Sequence, residues 1–439
     1  MIFLIAATSC QNSAPQPVQP ETAAQGSAEW DKYVGDFLDS YFVAHPDVAV
    51  LAGRHEFDGK LPDWSDAGLK KEIQRLHSER DRANDFKEAA LEVRQRFERN
   101  YVVAQIDKDL FWLESADWPH KNPFYYSDSI DPDVYVSRDY APLPVRMKAY
   151  TAYAKAVPAA VEQIRNNLKL PLPRTFVKIG RTTLGGLAEF YEKDVATVFA
   201  SVTDQQLQSD FKAANAGAAK AMKDLDAWFA SQESSATDNF ALGQQKFSEM
   251  LKATEGVDVP LDQLEKIGRQ DMDRNLVALR EACAKFAPNQ TIEQCVAKAQ
   301  ADKPEGNVLD AARQQLSDLK KFILEKNIVT IPGPEEAKVG EAPPYKRWNF
   351  AYINIPGPYE KGVPSIYYIS PPDPSWPKEK RDEYVPGKGS LLFTSVHEVW
   401  PGHFLQYLHA NRSPSKFGQV FVGYAFAEGW ALYRGDDVG

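Results

Sequence analysis

Three cysteines in 439 residues, Cys10, Cys283 and Cys295, leave little room for thiol chemistry, and none of them stands in the context of a catalytic nucleophile. No G-x-S-x-G is present, which removes the usual serine hydrolase arrangement. Gly180-Arg181-Thr182-Thr183-Leu184-Gly185-Gly186 is glycine-rich but lacks the Gly-Lys-Ser/Thr ending of a phosphate loop, and reads as a turn between helices. Basic residues do not dominate: 51 against 61 acidic ones give a net charge of −10, without a basic block, so nucleic acid is excluded as the main partner. Beyond the N-terminus no apolar run approaches the ~18 residues that span a bilayer. Internal repeats are also missing.

What is present is enough apolar material for a large core. Hydrophobic residues make up 43% of the chain and aromatics 12%, which at this length suits one large multilobed domain or two intimate ones. Residues 1–10 are apolar and small up to Cys10, a signal-like start without a basic n-region, and Ala7-Thr8-Ser9-Cys10 is similar to a bacterial lipobox. Lipidation of Cys10 is therefore expected. Residues 11–28, rich in Gln, Pro, Ala and Ser, would be a disordered tether. From Ala28 to the high 320s the apolar period is helical, with long runs at 67–108, 141–168, 203–231 and 260–287. Thr291-x-x-Gln294 has the form of a capping box that starts a new helix, so Cys283 and Cys295 are expected to meet across a tight helical turn and form a disulfide.

The stretch 329–376 is proline-rich and holds two β-prone strips, Phe350–Ile355 and Ile366–Ile369, joined through Pro356-Gly357-Pro358 and Gly362. A hairpin is predicted. The fold expected is mainly α, a multi-helix scaffold of residues 29–439 with this small hairpin beside the helices that carry the chemistry. An extended peptide could pair with a strand there, which makes Tyr367 and Tyr368 candidate pocket residues.

The chemistry is concentrated in His397-Glu398-Val399-Trp400-Pro401-Gly402-His403 and, further on, Glu428-Gly429-Trp430-Ala431-Leu432-Tyr433. A hydrolytic zinc centre needs about three protein ligands and an open position for water, with a carboxylate nearby to take the proton. His397, His403 and Glu428 are the candidate ligands, and Glu398 is the candidate base. The six-residue interval between the histidines is unusual, because at ~100° per residue it sets the rings about 120° apart on a regular helix. Pro401 and Gly402 could widen one turn and bring His403 round. Alternatively, Pro-Gly ends one helix and starts another, leaving two unrelated histidines. Tyr424 and Tyr433 are near enough in sequence to be candidate substrate-binding groups. His45, His55, His77 and His120 read as structural, although His55 stands in Gly53-x-His55-x-x-Asp58-Gly59 and could reach the cleft; His409 should face elsewhere.

The patterns H-E-x-x-P-G-H-x-x-Q at His397–Gln406 and E-G-W-A-L-Y at Glu428–Tyr433, together with His45-Pro46, Gly53-x-His55 and Asp58-Gly59-x-Leu61-x-Asp63-x-Ser65, resemble the bacterial lipoproteins and related proteins catalogued as domain of unknown function 885. Members look like zinc peptidases. Phe404 departs from the second histidine that many members carry after P-G-H. The resemblance implies a zinc-dependent hydrolase of peptides, held by an N-terminal lipid on the periplasmic or cell-envelope face of a bacterial membrane. It also implies a longer chain, since members continue well past E-G-W-A-L-Y. Two other readings stay open: a non-catalytic binding or scaffold lipoprotein on the same fold, and a zinc hydrolase of non-peptide amides or esters.

Overall fold

A computed structural model describes residues 20–343, 346–347 and 349–438. The first helix, α1 (Pro20–Ala44), buries Trp30, Tyr33, Val34, Phe37, Leu38, Tyr41 and Phe42 at helical spacing. It starts inside the stretch expected as a tether. Residues 20–28 are helical, and Gly26 lies so close to Ala90 that a Cβ there would be 2.6 Å from its carbonyl oxygen. Cys10 and residues 11–19 lie outside the described residues.

The long run at 67–108 resolves into α2 (Asp66–Asp85) and α3 (Val93–Leu110), with Ser65 capping the first through the N–H of Gly68. Helices α4 (Leu143–Asn167) and α5 (Gln205–Gln232) form the centre of this first lobe. Tyr150, Tyr153, Val157, Val161 and Ile164 of α4 and Phe211, Met222, Leu225 and Phe229 of α5 are buried in one core, and the small Ala214 and Ala218 let the helices approach. Each such large side chain contributes roughly 1.5–3 kcal/mol by leaving water. Among the buried polar groups there, Trp30 Nε1 donates to Glu98 at 2.7 Å, and Asn215 Nδ2 donates to the Tyr191 carbonyl at 2.8 Å. The glycine-rich stretch expected as a turn is helical instead, with a π-helical segment at Arg181–Gly185. Its glycines serve packing, since a Cβ on Gly180 would meet the Phe229 ring at 2.7 Å.

Helices α6 (Leu261–Phe286) and α7 (Ile292–Ala301) turn back on each other through the Thr291 capping box, and Cys283 and Cys295 are disulfide-bonded with Cα atoms 5.7 Å apart. A second, smaller core follows. It is built by α8 (Val308–Lys326), a three-stranded sheet and the helices of the His-Glu motif. Strands β2 (Ala351–Asn354) and β3 (Ile366–Ile369) form the expected hairpin, antiparallel with Ala351 opposite Ile369 and Asn354 opposite Ile366. Strand β1 (Lys338–Glu341), which no sequence pattern announced, pairs parallel to β3, so the order is β1-β3-β2 and, among the described residues, β2 keeps a free edge. Among the described residues no helix is long and apolar enough to cross a membrane.

Candidate metal centre

Helix α9 (Lys388–Glu398) buries Leu391, Ser395 and Val396 in the second core, which turns His397 and Glu398 toward the cleft. The helix stops there. Val399 leaves the helical region (φ −124°, ψ −74°), the Trp400–Pro401 peptide is cis, and α10 (His403–Ala410) begins anew at His403. The expected widening of a single turn is thus corrected: Pro-Gly separates two helices. The histidines nevertheless converge, with ring centroids 4.7 Å apart and planes at 84°. Gly402 makes this possible, because a Cβ there would lie 1.8 Å from the carbonyl oxygen of His397.

Glu428 comes from α11 (Tyr424–Val438), with Oε2 3.5 Å from His397 Nε2 and Oε1 3.7 Å from His403 Nε2. One ligating atom from each of the three residues falls within 4.8 Å of the others, and this is the one such set of His, Cys, Asp or Glu side chains among the described residues. Two donors bound at ~2.0–2.1 Å to one tetrahedral zinc stand roughly 3.3–3.5 Å apart, so the set fits a small divalent cation. The two segments are tied directly: Trp430 Nε1 donates to the Pro401 carbonyl at 2.8 Å. Gly429 meets nothing among the described residues within 4 Å of its would-be Cβ.

Electrostatics suit a ligand set with a neighbouring base. Burial, and next the adjacent His397, lower the pKa of His403, against the pull of Glu428, which favours the neutral imidazole that binds metals. The Glu398 carboxyl is pushed up to about 7 by burial, with Glu428 adding to the effect; the backbone N–H of Ile353 on β2 works the other way. Glu398 therefore stands against the free edge of the sheet.

The cleft, about 530 Å³, is lined by both lobes: Asp133, Arg138 and Lys346 on one side, β2 from Ala351 to Asn354 along the floor, and the triad with Tyr407 and Tyr424 on the other. Tyr424 is exposed at its mouth. Tyr367, expected in the pocket, is completely buried behind it, its hydroxyl facing Ser395, because β3 turns that side chain into the second core. Tyr368 points to the opposite face and packs on Tyr352 at 5.2 Å, one residue removed from the cleft. Tyr433 lies further along α11 at the surface and does not line the cleft. Tyr407 was missed, although its place one helical turn after His403 was a usable signal. Asp133, Arg138 and Lys346 had no such signal, since only tertiary packing brings them here. A larger groove of about 940 Å³ between α8 and β1 brings together no ligating set.

The remaining histidines are engaged elsewhere. His45 meets Glu72 at 2.9 Å, His77 meets Glu114 at 3.0 Å, His120 meets Asp117 at 2.5 Å, and His409 bonds the Thr330 carbonyl at 2.8 Å. His55 lies between Asp58 and Glu360, away from the triad.

No curated protein matches the chain. Two solved structures share its fold. One is described as a candidate lipoprotein of unknown function from Shewanella oneidensis, 21% identical, with a TM-score of 0.74 over 93% of this chain and 77% of that one. The other, a candidate lipoprotein from Colwellia psychrerythraea, is 15% identical, with a TM-score of 0.72 over 95% and 78%. The family described as bacterial protein of unknown function (DUF885) matches residues 46–435, and the chain belongs to it.

Proposed function

We propose that the chain is a zinc-dependent hydrolase of peptide bonds, with His397, His403 and Glu428 as ligands and Glu398 as general base. The observation that carries this reading is the convergence of three ligating atoms from three separate elements within 4.8 Å, beside a carboxyl pushed up to about 7. When bound, zinc supplies a Lewis acid that polarises a carbonyl and acidifies water. Glu398, half-enclosed by β2, takes a proton from the attacking water and hands it to the leaving amine; its near-neutral pKa suits both transfers. The cleft between the lobes and the free edge of β2 give room for an extended peptide. A lipid on Cys10 would hold the protein at the cell envelope.

A second reading is a lipoprotein that keeps the fold and binds without turnover. It is favoured by the descriptions of the two fold neighbours, which speak of lipoproteins and of no reaction. Metal content measured beside turnover of a mixed library of peptides, with ester and non-peptide amide members included, separates these readings. Glu398→Gln should keep zinc and lose most hydrolysis, whereas Glu428→Gln should lose zinc. A parent protein that never takes up zinc sinks the enzyme reading, and cleavage confined to esters replaces peptides as substrate.

A further inference from the structure

The Gly53-x-His55-x-x-Asp58-Gly59 stretch takes no part in the triad, yet it sits against the loop that joins β2 to β3. His55 is held on three sides. Its Nδ1 is 3.1 Å from Asp58 Oδ1, its Nε2 is 3.4 Å from Glu360 Oε1, and its ring stacks on Tyr140 with centroids 3.6 Å apart and planes at 5°. Tyr140 in turn donates to the second Asp58 oxygen at 2.9 Å. Glu360 has a side chain 1% exposed, and its other oxygen accepts from Arg138 Nη1 at 2.9 Å and from the Gly357 N–H at 2.7 Å. Arg138 spends its remaining N–H groups on the same region: Nε on Asn354 Oδ1 at 3.2 Å and Nη2 on the Ile355 carbonyl at 3.3 Å, while Nη1 also reaches the Leu51 carbonyl at 3.0 Å. The backbones touch as well. Tyr359 N–H donates to the Ala52 carbonyl at 2.9 Å, and a Cβ on Gly357 would fall 2.3 Å from the Ala52 carbonyl carbon.

Arg138 carries this set of contacts to the end of β2. Asn354 and Ile355 receive Arg138 directly, all three line the cleft, and the next residue back, Ile353, presents its N–H to Glu398. Buried ion pairs contribute little net stability against apolar packing of the same shape, but they fix geometry. Burial alone would lower the pKa of His55; the bond to Asp58 and the nearby Glu360 carboxylate outweigh that and push it up to about 9.

We propose that His55, Glu360 and Arg138 form a positioning node that sets where the edge of β2 stands relative to Glu398, without any of them acting on the reacting bond. The consequence for turnover rests on the hydrolytic reading; the consequence for β2 does not. Amide hydrogen exchange of the full chain, followed by mass spectrometry, tests the second. In His55→Phe, which keeps the stack on Tyr140, and in Glu360→Gln, residues 351–357 should exchange about tenfold faster while 205–232 are unchanged. Arg138→Lys keeps the charge but loses the fork, and should fall between these and the parent. His45→Phe, which breaks an ion pair remote from the cleft, is the reference. In a parent that hydrolyses peptides, kcat of His55→Phe and Glu360→Gln should fall about tenfold with zinc content and KM little changed. The proposal is overturned by unchanged exchange at 351–357, by an equal rise in His45→Phe, or by faster exchange with an undiminished kcat. If exchange rises while the parent cleaves nothing, the hydrolytic reading fails and the node stands as the fixture of the β2 edge.

Discussion

Histidines in the two lobes keep different company. In the first lobe His45, His77 and His120 each sit on a carboxylate at 2.5–3.0 Å, within hydrogen-bond range. In the second lobe two rings share a single carboxylate at 3.5 and 3.7 Å, beyond hydrogen-bond range, and face each other edge to face. The first arrangement neutralises charge within the fold. The second has the spacing of donors arranged around one small cation, and it is assembled from three helix ends that the second core and the Trp430–Pro401 bond hold in place.

That contrast breaks most completely at Gly402. An alanine Cβ would collide with backbone at 1.8 Å, and backbone cannot swing aside as a side chain can. Gly402→Ala should lower stability by roughly 2–4 kcal/mol and weaken zinc binding on the order of 100-fold, read by thermal unfolding and by competition with a chelator. Gly429→Ala is the partner experiment. It sits in α11 with open space around its would-be Cβ among the described residues, so it should be neutral or stabilise by about 0.5–1 kcal/mol. Equal effects from the two glycines would remove the steric account of the turn.

A smaller effect is expected at Trp430. Its indole N–H holds the Pro401 carbonyl and so sets Glu428 against the two rings, though it touches none of the three ligands by that bond. Trp430→Phe keeps most of the apolar contact and leaves a buried acceptor unmatched, at about 1 kcal/mol. Zinc affinity should fall about tenfold, as it does when other groups that orient ligands are lost. Unchanged affinity with the stability loss intact would show that α11 is held by packing alone.

The amphipathic runs that became α4 and α5 were legible in the sequence because helical periodicity survives in any tertiary setting. The strips of β2 and β3 were legible from their β-branched and aromatic residues between Pro and Gly. Strand β1 was not, since Lys-Val-Gly-Glu is four residues long and gains its partner only from β3. Pro401 and Gly402 announced an irregularity between His397 and His403, but not its form: a widened turn and a break between helices need the same two residues. Tyr367 failed as a pocket residue through one step of strand alternation, which sends neighbours to opposite faces.

The subtlest contrast between the lobes is in acid. Glu72 lies buried against His45 and Arg75; burial works to raise its pKa, yet the bonds from these two cations hold it down at about 2, below its ordinary 4.5. The pKa of His45 is raised, because its bond to Glu72 outweighs the burial that would lower it. The signs then follow. A depressed carboxyl contributes stability above its unfolded value, so the Glu72 share is present above pH 4.5 and is lost as pH falls toward about 2. A raised imidazole contributes below its unfolded value of 6.5 and loses that share as pH climbs past it. The pair is therefore worth most between pH 4.5 and 6.5, with an upper bound of about 3 kcal/mol from the carboxylate. Urea unfolding of the parent and of Glu72→Gln from pH 3 to pH 8 measures it. The gap between the two proteins should be widest near pH 5.5, narrow toward pH 3 as the carboxylate protonates in the unfolded parent, and shrink again above pH 7. A gap of constant width would mean that Glu72 acts through shape alone.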